Sequence, residues 1–293
     1  MRYPKGGIDL RSSQDTLLLQ QVLRSRHVSH EQLWEFMQHR AREHRRRVFS
    51  WRIKRLVDHE LVLRRSIPNR LWVYSVSQEG AEHLVGLGEA AALLVTGGFV
   101  ELDHGSVQHS LELNDLHLAL LRAGVLTSWQ AELEIRSLNE FTGYGFAKDY
   151  DAVVKVERDG RSYQFALEYE RSPKTPEKYA RVRQVLERDS QLECIVYVLP
   201  AYPLLSYVAA FFERCSKPVY FALSDDFRQN ALDAVVMDSR RLRSVPLCAP
   251  IVGTLWITLV ERALQPEKSW INPLARDARP PVLLVLPEGA TNI

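Results

Sequence analysis

The chain reads as two domains in 293 residues, an α+β module followed by an α/β module built on a mixed sheet. Three observations predict this. The length exceeds one average domain and suits two. Apolar residues recur at helical spacing through the first 88 residues and change to strand-like alternation from Trp129 onward. Charge is also unevenly placed. Between Arg40 and Arg70 eleven Lys or Arg stand against Glu43, Asp58 and Glu60, a local charge of +8 in a chain whose total is +2. With 46% hydrophobic and 25% charged residues the composition is that of a globular protein with a sizeable core. The basic segment is therefore a module, and so concentrated a charge fits a face that meets phosphates.

The elements follow in order. Ser13 or Asp15 can cap a first helix whose Leu17, Leu18, Val22 and Leu23 recur at helical spacing. Ser29 followed by Gln32 is a capping-box pattern that opens a second helix with Leu33, Phe36 and Met37 as its buried stripe. A third helix is expected from about Arg45 to Glu60. Val48, Phe49, Trp51, Ile53, Leu56 and Val57 form its apolar side, and Arg46, Arg47, Arg52, Lys54 and Arg55 take most of the rest. Leu61 to Arg64 and Leu71 to Val76 flank a turn at Pro68-Asn69, a hairpin signal. A last helix starts near Ser77 with Ala81 and Leu84 inward. Trp51 and Trp72 are assigned to packing rather than to base stacking.

Helix, helix, basic helix, two-stranded wing and helix is the order of a winged helix-turn-helix domain, here residues 1–88. Arg45, Arg46, Arg47, Arg52, Lys54 and Arg55 are its candidates for groove and phosphate contacts with double-stranded DNA, and Arg64, Arg65 and Arg70 for the wing. A merely solvated helix face and a winged helix used for protein contact are the alternatives. Residues 89–108 read as a linker that can be partly helical.

The second domain spans residues 109–245. Its entry helix buries Leu113, Leu116, Leu120 and Leu121 and ends at Gly124. His109 and His117, with Asn114 and Asp115, lie too far apart along this helix for one metal ion and read as capping and packing residues. Strands are expected at Trp129 to Ile135, Asp151 to Val156 and Tyr163 to Tyr169, the last two joined by an Asp159-Gly160 turn. A helix from Pro176 to Arg188, a strand over 192–199, a helix from Pro203 to Arg214, a strand over 218–223 and a helix near Phe227 complete the α/β pattern.

Asp151, Glu168 and Glu170 gather at one end of the predicted hairpin, with Glu168 and Glu170 on one face of their strand. Grouped carboxylates suit a hard divalent cation, Mg²⁺, which activates water and holds a phosphodiester. Asp151 and Glu168 are the candidate metal ligands, Glu170 and Lys178 candidate catalytic partners, and Lys174 a phosphate contact. This half resembles the PD-(D/E)xK nuclease-like superfamily, with Tyr150-Asp151 in place of Pro-Asp and Glu168-Tyr169-Glu170 in place of Glu-x-Lys. That resemblance implies a migrated lysine at Lys178 and an accessory carboxylate at Glu112. A sheet domain without catalysis, kept for DNA or protein contact, is the alternative.

As a whole the chain resembles the replication-relaxation family of bacterial and mobile-element proteins. The resemblance rests on RRVFSWRIKRLVDHELV, SVSQEGAEHL, HSLELNDLHLALLRAG and DAVVKVERDGRSYQFALEYERS, and covers residues 15–200. It implies DNA binding linked to plasmid or mobile-element replication, relaxation or mobilisation, with relaxase, replication or toxin proteins as candidate partners. The rival expectation is a transcriptional regulator, an autorepressor or antitoxin-like factor, whose second domain is catalytically inert. Residues 246–293 are expected to add an edge strand, cover the sheet or form a homodimer contact, and Arg240, Arg241 and Arg243 to lie on a solvated loop. Cys194, Cys215 and Cys248 show no C-x-x-C pair, which argues against a zinc site or a disulfide framework. The N-terminus lacks a signal-peptide core, and the run Leu204 to Phe212 is too short to span a bilayer, so a soluble, cytoplasmic protein is expected.

Overall fold

The computed structural model describes residues 13–67, 71–97, 104–239 and 244–247. The chain divides into two compact units, residues 1–253 and 254–293; all described residues belong to the first. The expected roles of Arg70, of the Pro68-Asn69 turn, of Cys248, of Arg240, Arg241 and Arg243 and of most of the tail lie outside the described residues. Among the described residues, no helix is long and apolar enough to cross a membrane.

The basic half forms around helices α1 (Ser13–Ser25), α2 (His30–Ala41) and α3 (Arg46–Asp58). The Ser29 hydroxyl accepts from Gln32 N at 3.2 Å and the Gln32 side chain accepts from Ser29 N at 3.2 Å, the reciprocal cap that the sequence pattern predicts. Phe49, Ile53 and Leu56 of α3 are buried among Leu18, Leu19, Val22, Leu33 and Phe36 of the first two helices. Strands β2 (Val62–Ile67) and β3 (Leu71–Val76) pair antiparallel, and the two-residue β1 (Val28–Ser29) pairs with the far side of β3. Helix α4 (Gln78–Gly86) follows, capped by Ser77, whose hydroxyl accepts from Gly80 N at 2.9 Å. Gly80 is needed here: a Cβ at that position would meet Leu61 O at 2.1 Å.

The second half is a seven-stranded mixed sheet in the order β10-β9-β8-β7-β6-β5-β4. Its strands are β4 (Leu126–Ala131), β5 (Ala152–Arg158), β6 (Arg161–Tyr169), β7 (Ile195–Leu199), β8 (Val219–Leu223), β9 (Val235–Asp238) and β10 (Ser244–Pro246). Pairs β6–β7 and β7–β8 are parallel, and the others are antiparallel. Asp159 and Gly160 both hold positive φ, 53° and 72°, as the tight turn between β5 and β6 requires. One face of the sheet buries Val153, Ala166, Ile195, Tyr197 and Phe221 against Tyr179 and Leu186 of α8 (Pro176–Arg188) and Leu205 and Val208 of α9 (Tyr202–Ala210). Helix α6 (His104–Arg122), which packs against α10 (Ser224–Asn230), is followed by a left-handed residue, Gly124, at φ 67°.

Two expectations change. The segment expected to be a strand to Ile135 turns at Ala131 into a helix, α7 (Glu132–Phe141). Glu134 starts it by accepting from Ala131 N at 2.8 Å. Leu133 packs into the core of the first half and Ile135 into that of the second, so burial alternates because the helix is covered on two sides. The second concerns the connection after residue 88. Its helical part is α5 (Ala92–Thr96), and Ala92 and Leu94 are fully buried rather than lying in an open linker. Helix α6 is then stitched to α2: Gln32 donates to Leu111 O at 2.7 Å and to Asp115 at 2.6 Å, and Arg122 grips Glu35 at 2.5 and 2.7 Å.

Candidate functional site

Two charged regions carry the residues singled out by the sequence. In the first, Arg45, Arg46, Arg47 and Lys54 are exposed on α3 or at its start, and Arg64 and Arg65 are exposed on β2. Lys54 and Arg64 line one cleft of about 360 Å³ between α3 and the hairpin, so helix and hairpin share a surface. Arg46 pairs with Glu31 and Lys54 with Asp58, all four side chains more than half exposed. Ion pairs that open to water are worth only ~0–1 kcal/mol and yield readily to a polyanion.

Arg52 and Arg55 correct the expected set. Arg52 donates to Asp15 of α1 at 2.8 Å, Arg55 lies 3.7 Å from the same carboxylate, and the Asp15 side chain is 4% exposed. Arg52 also lies 3.6 Å from Glu43. These two guanidinium groups flank the buried stripe of α3 and neutralise a carboxylate held under the helix. They join α3 to α1 instead of facing outward. The tryptophans are a second correction. Trp51 and Trp72 are 46% and 44% exposed, and an arginine covers each ring, Arg55 at 4.7 Å and Arg64 at 4.4 Å.

The second region is built where β5 begins and β6 ends. Asp151 directly precedes β5. Glu168 lies in β6 opposite Tyr197, and Glu170 follows the strand. The three are brought together, with Glu168 and Glu170 buried. Asp151 spends both oxygens on protein donors: Oδ1 accepts from His109 Nε2 at 3.2 Å and Oδ2 from Tyr169 N at 2.6 Å. Glu168 pairs with Lys148, Glu170 with Lys174 at 2.6 Å, and Glu112 with Arg171 at 2.8 Å. Tyr169 points from β6 towards α6, its ring 5.7 Å from that of His109, and its hydroxyl donates to Glu112. Lys178 is exposed on α8, and it is Lys174 that reaches Glu170.

These pairings set the protonation states. Burial drives the Asp151 pKa upward, but the His109 hydrogen bond and charge, the Tyr169 N–H and Lys148 outweigh it and hold the group below the ordinary aspartate value. His109 is depressed by burial, yet its hydrogen bond with Asp151 and the charges of Asp151, Glu132 and Glu168 carry it above the usual imidazole value. Glu168 is raised by burial and by Asp151 against the pull of Lys148. Burial raises Glu170 as well, against Lys174. Tyr169 is pushed up to about 12 by burial and by Glu112.

The arrangement sets four carboxylates against Lys148, Arg171, Lys174 and the imidazole of His109 in separate pairs. The two expected Mg²⁺ ligands, Asp151 and Glu168, meet His109 and Lys148 in this way. Among the described residues no group of three His, Cys, Asp or Glu is placed to hold a metal. Sequence reasoning passed over Lys148 and set His109 aside as a packing residue. The i, i+3 spacing of His109 and Glu112 on α6 was the available signal for a shared face. The other members of that rejected cluster do pack: Asn114 donates to His27 O at 2.8 Å, and His117 stacks on Trp129 at 4.1 Å.

Compared with family models, with curated proteins and with solved structures, the chain matches none.

Proposed function

We propose that the chain is a double-stranded DNA-binding protein whose first 88 residues act as a winged helix, α3 entering a groove while the β2–β3 hairpin holds the adjacent backbone. One observation carries this reading: Lys54 of α3 and Arg64 of β2 line the same open cleft, with Arg45, Arg46, Arg47 and Arg65 exposed on the same two elements. A service in plasmid or mobile-element replication, relaxation or mobilisation extends the proposal through the sequence resemblance. The pairwise neutralised cluster around Asp151 supports the version in which the second half contacts DNA or protein without cleaving. Mobility-shift titration over a salt series tests the reading. With about four phosphate contacts the slope of log K against log salt is roughly −3.6, and a flat salt response rejects it.

A PD-(D/E)xK-like nuclease is the second reading. It is favoured by the convergence of Asp151, Glu168 and Glu170 with Lys148 and Lys174 at one end of the sheet. Nicking of supercoiled plasmid in Mg²⁺ or Mn²⁺, present in wild type and lost in Asp151→Ala, selects it. Binding without nicking leaves the regulator-like version standing.

A further inference from the structure

The cleft between α3 and the hairpin has features that contact with phosphates does not use. Its lining includes Ile53 and Val57 as an apolar wall, Trp72 with Arg64 stacked on it, and the polar side chains of Ser50, His30 and Tyr74. The last three are held in fixed positions. His30 Nδ1 lies 3.0 Å from the Tyr74 hydroxyl, and His30 Nε2 lies 3.5 Å from Ser50 Oγ. Burial lowers the His30 pKa, with Arg46 adding to the effect and Glu31 opposing it, which favours the neutral ring that both donates and accepts. Lys54 and Arg64 at the cleft supply positive charge beside this partly apolar space. The volume of about 360 Å³ is near the lower end of the ~300–1,000 Å³ that ligand clefts occupy.

We infer that this cleft receives one unpaired nucleobase of the bound DNA, laid flat against the Arg64–Trp72 stack with its edge towards Ser50, His30 and Tyr74. The inference rests on the DNA-binding reading and deepens it by naming what the surface selects. A base inside an intact duplex has both faces covered by its neighbours and cannot use such a wall. An extruded or single-stranded base can, because every base offers a π-face to an aromatic ring or a guanidinium plane. Lys54 and Arg64 then serve the phosphates on either side of that base. Trp72 is 44% exposed as a residue even with Arg64 over its ring, and a stacking platform needs such exposure. Asp58, also in the lining and paired with Lys54, adds an acceptor for an exocyclic amine.

The experiment is fluorescence anisotropy with the full chain and two mixed-sequence DNAs, an intact duplex and the same duplex carrying one unpaired bulged base. The proteins are wild type, Trp72→Ala and Trp72→Phe, each checked for an unchanged thermal melt. The expected result is tighter wild-type binding of the bulged DNA. Trp72→Ala then loses roughly 5- to 150-fold in affinity for the bulged DNA, the worth of one stacked base, and little for the duplex. Trp72→Phe retains the preference. Equal wild-type affinity for the two DNAs, or equal loss on both in Trp72→Ala, overturns the cleft assignment and leaves DNA binding intact. Binding to neither DNA overturns both readings together.

Discussion

On α3, Arg46 and Lys54 hold Glu31 and Asp58 in open water, whereas Asp151, Glu168 and Glu170 hold their basic partners from mostly buried positions at the end of β5 and β6. Both regions are dense in charge, but their free energies differ in kind. In the first, the pairs are loose and screened, and the excess of positive charge remains available to a partner. In the second, desolvation makes each charge depend on its neighbour, and each carboxylate already has a basic group of the protein beside it. Arg52 and Arg55 belong energetically with the second region although they lie on α3, because both serve the buried Asp15. What separates a recognition surface from a structural network here is the burial of the acidic partner.

The largest effect that could break this division is Asp15→Ala. It removes the carboxylate that Arg52 and Arg55 share, leaving Glu43 at 3.6 Å from Arg52, and is expected to cost about 3 kcal/mol of stability, read from urea denaturation. Protein that remains folded keeps its affinity for DNA. A stable variant with clearly changed DNA affinity would place Arg52 and Arg55 on the recognition side after all.

A smaller effect sharpens the second region. In the fold His109 titrates above its unfolded value of about 6.5. Its pairing with Asp151 therefore contributes fully below that pH and is lost as pH rises through the folded pKa. The melting temperature of the wild type should decline across this window, and His109→Gln should flatten that part of the profile. An unaltered profile in the variant removes His109 from the network.

The smallest effect concerns the first region. Glu31→Ala removes an exposed partner of Arg46 and should change stability by less than about 1 kcal/mol, while DNA affinity at low salt rises slightly because Arg46 no longer shares its charge. A fall in affinity would mean that Glu31 orients Arg46.

Much of the fold was legible because local rules and tertiary packing agree. The Ser29–Gln32 cap, the Phe49–Ile53–Leu56 stripe, the Asp159-Gly160 turn and the Pro176 start of α8 each follow from short-range chemistry. Helix α7 was not legible, because its period-two burial comes from the two cores that enclose it, and no single-face pattern encodes that. Glu168 and Glu170 could be placed from strand alternation, and Asp151 from the hairpin that brings it near them. Their cations could not: Lys148 arrives from an irregular loop and His109 from a helix 42 residues before its partner. The exposure of Trp51 and Trp72 was likewise hidden, since an aromatic residue inside an apolar pattern is read as core by default.

The double covering of α7 has a wider consequence. A protein cut after residue 88 would surrender Ala92, Leu94, Leu118 and Leu133 from the nucleus around Phe36 and Phe49, leaving an oily scar. Such a segment is poorly suited to being traded between genes as a portable cassette. The two halves should also melt in one calorimetric peak, and a strain imposed at one end would be felt at the other through shared side chains.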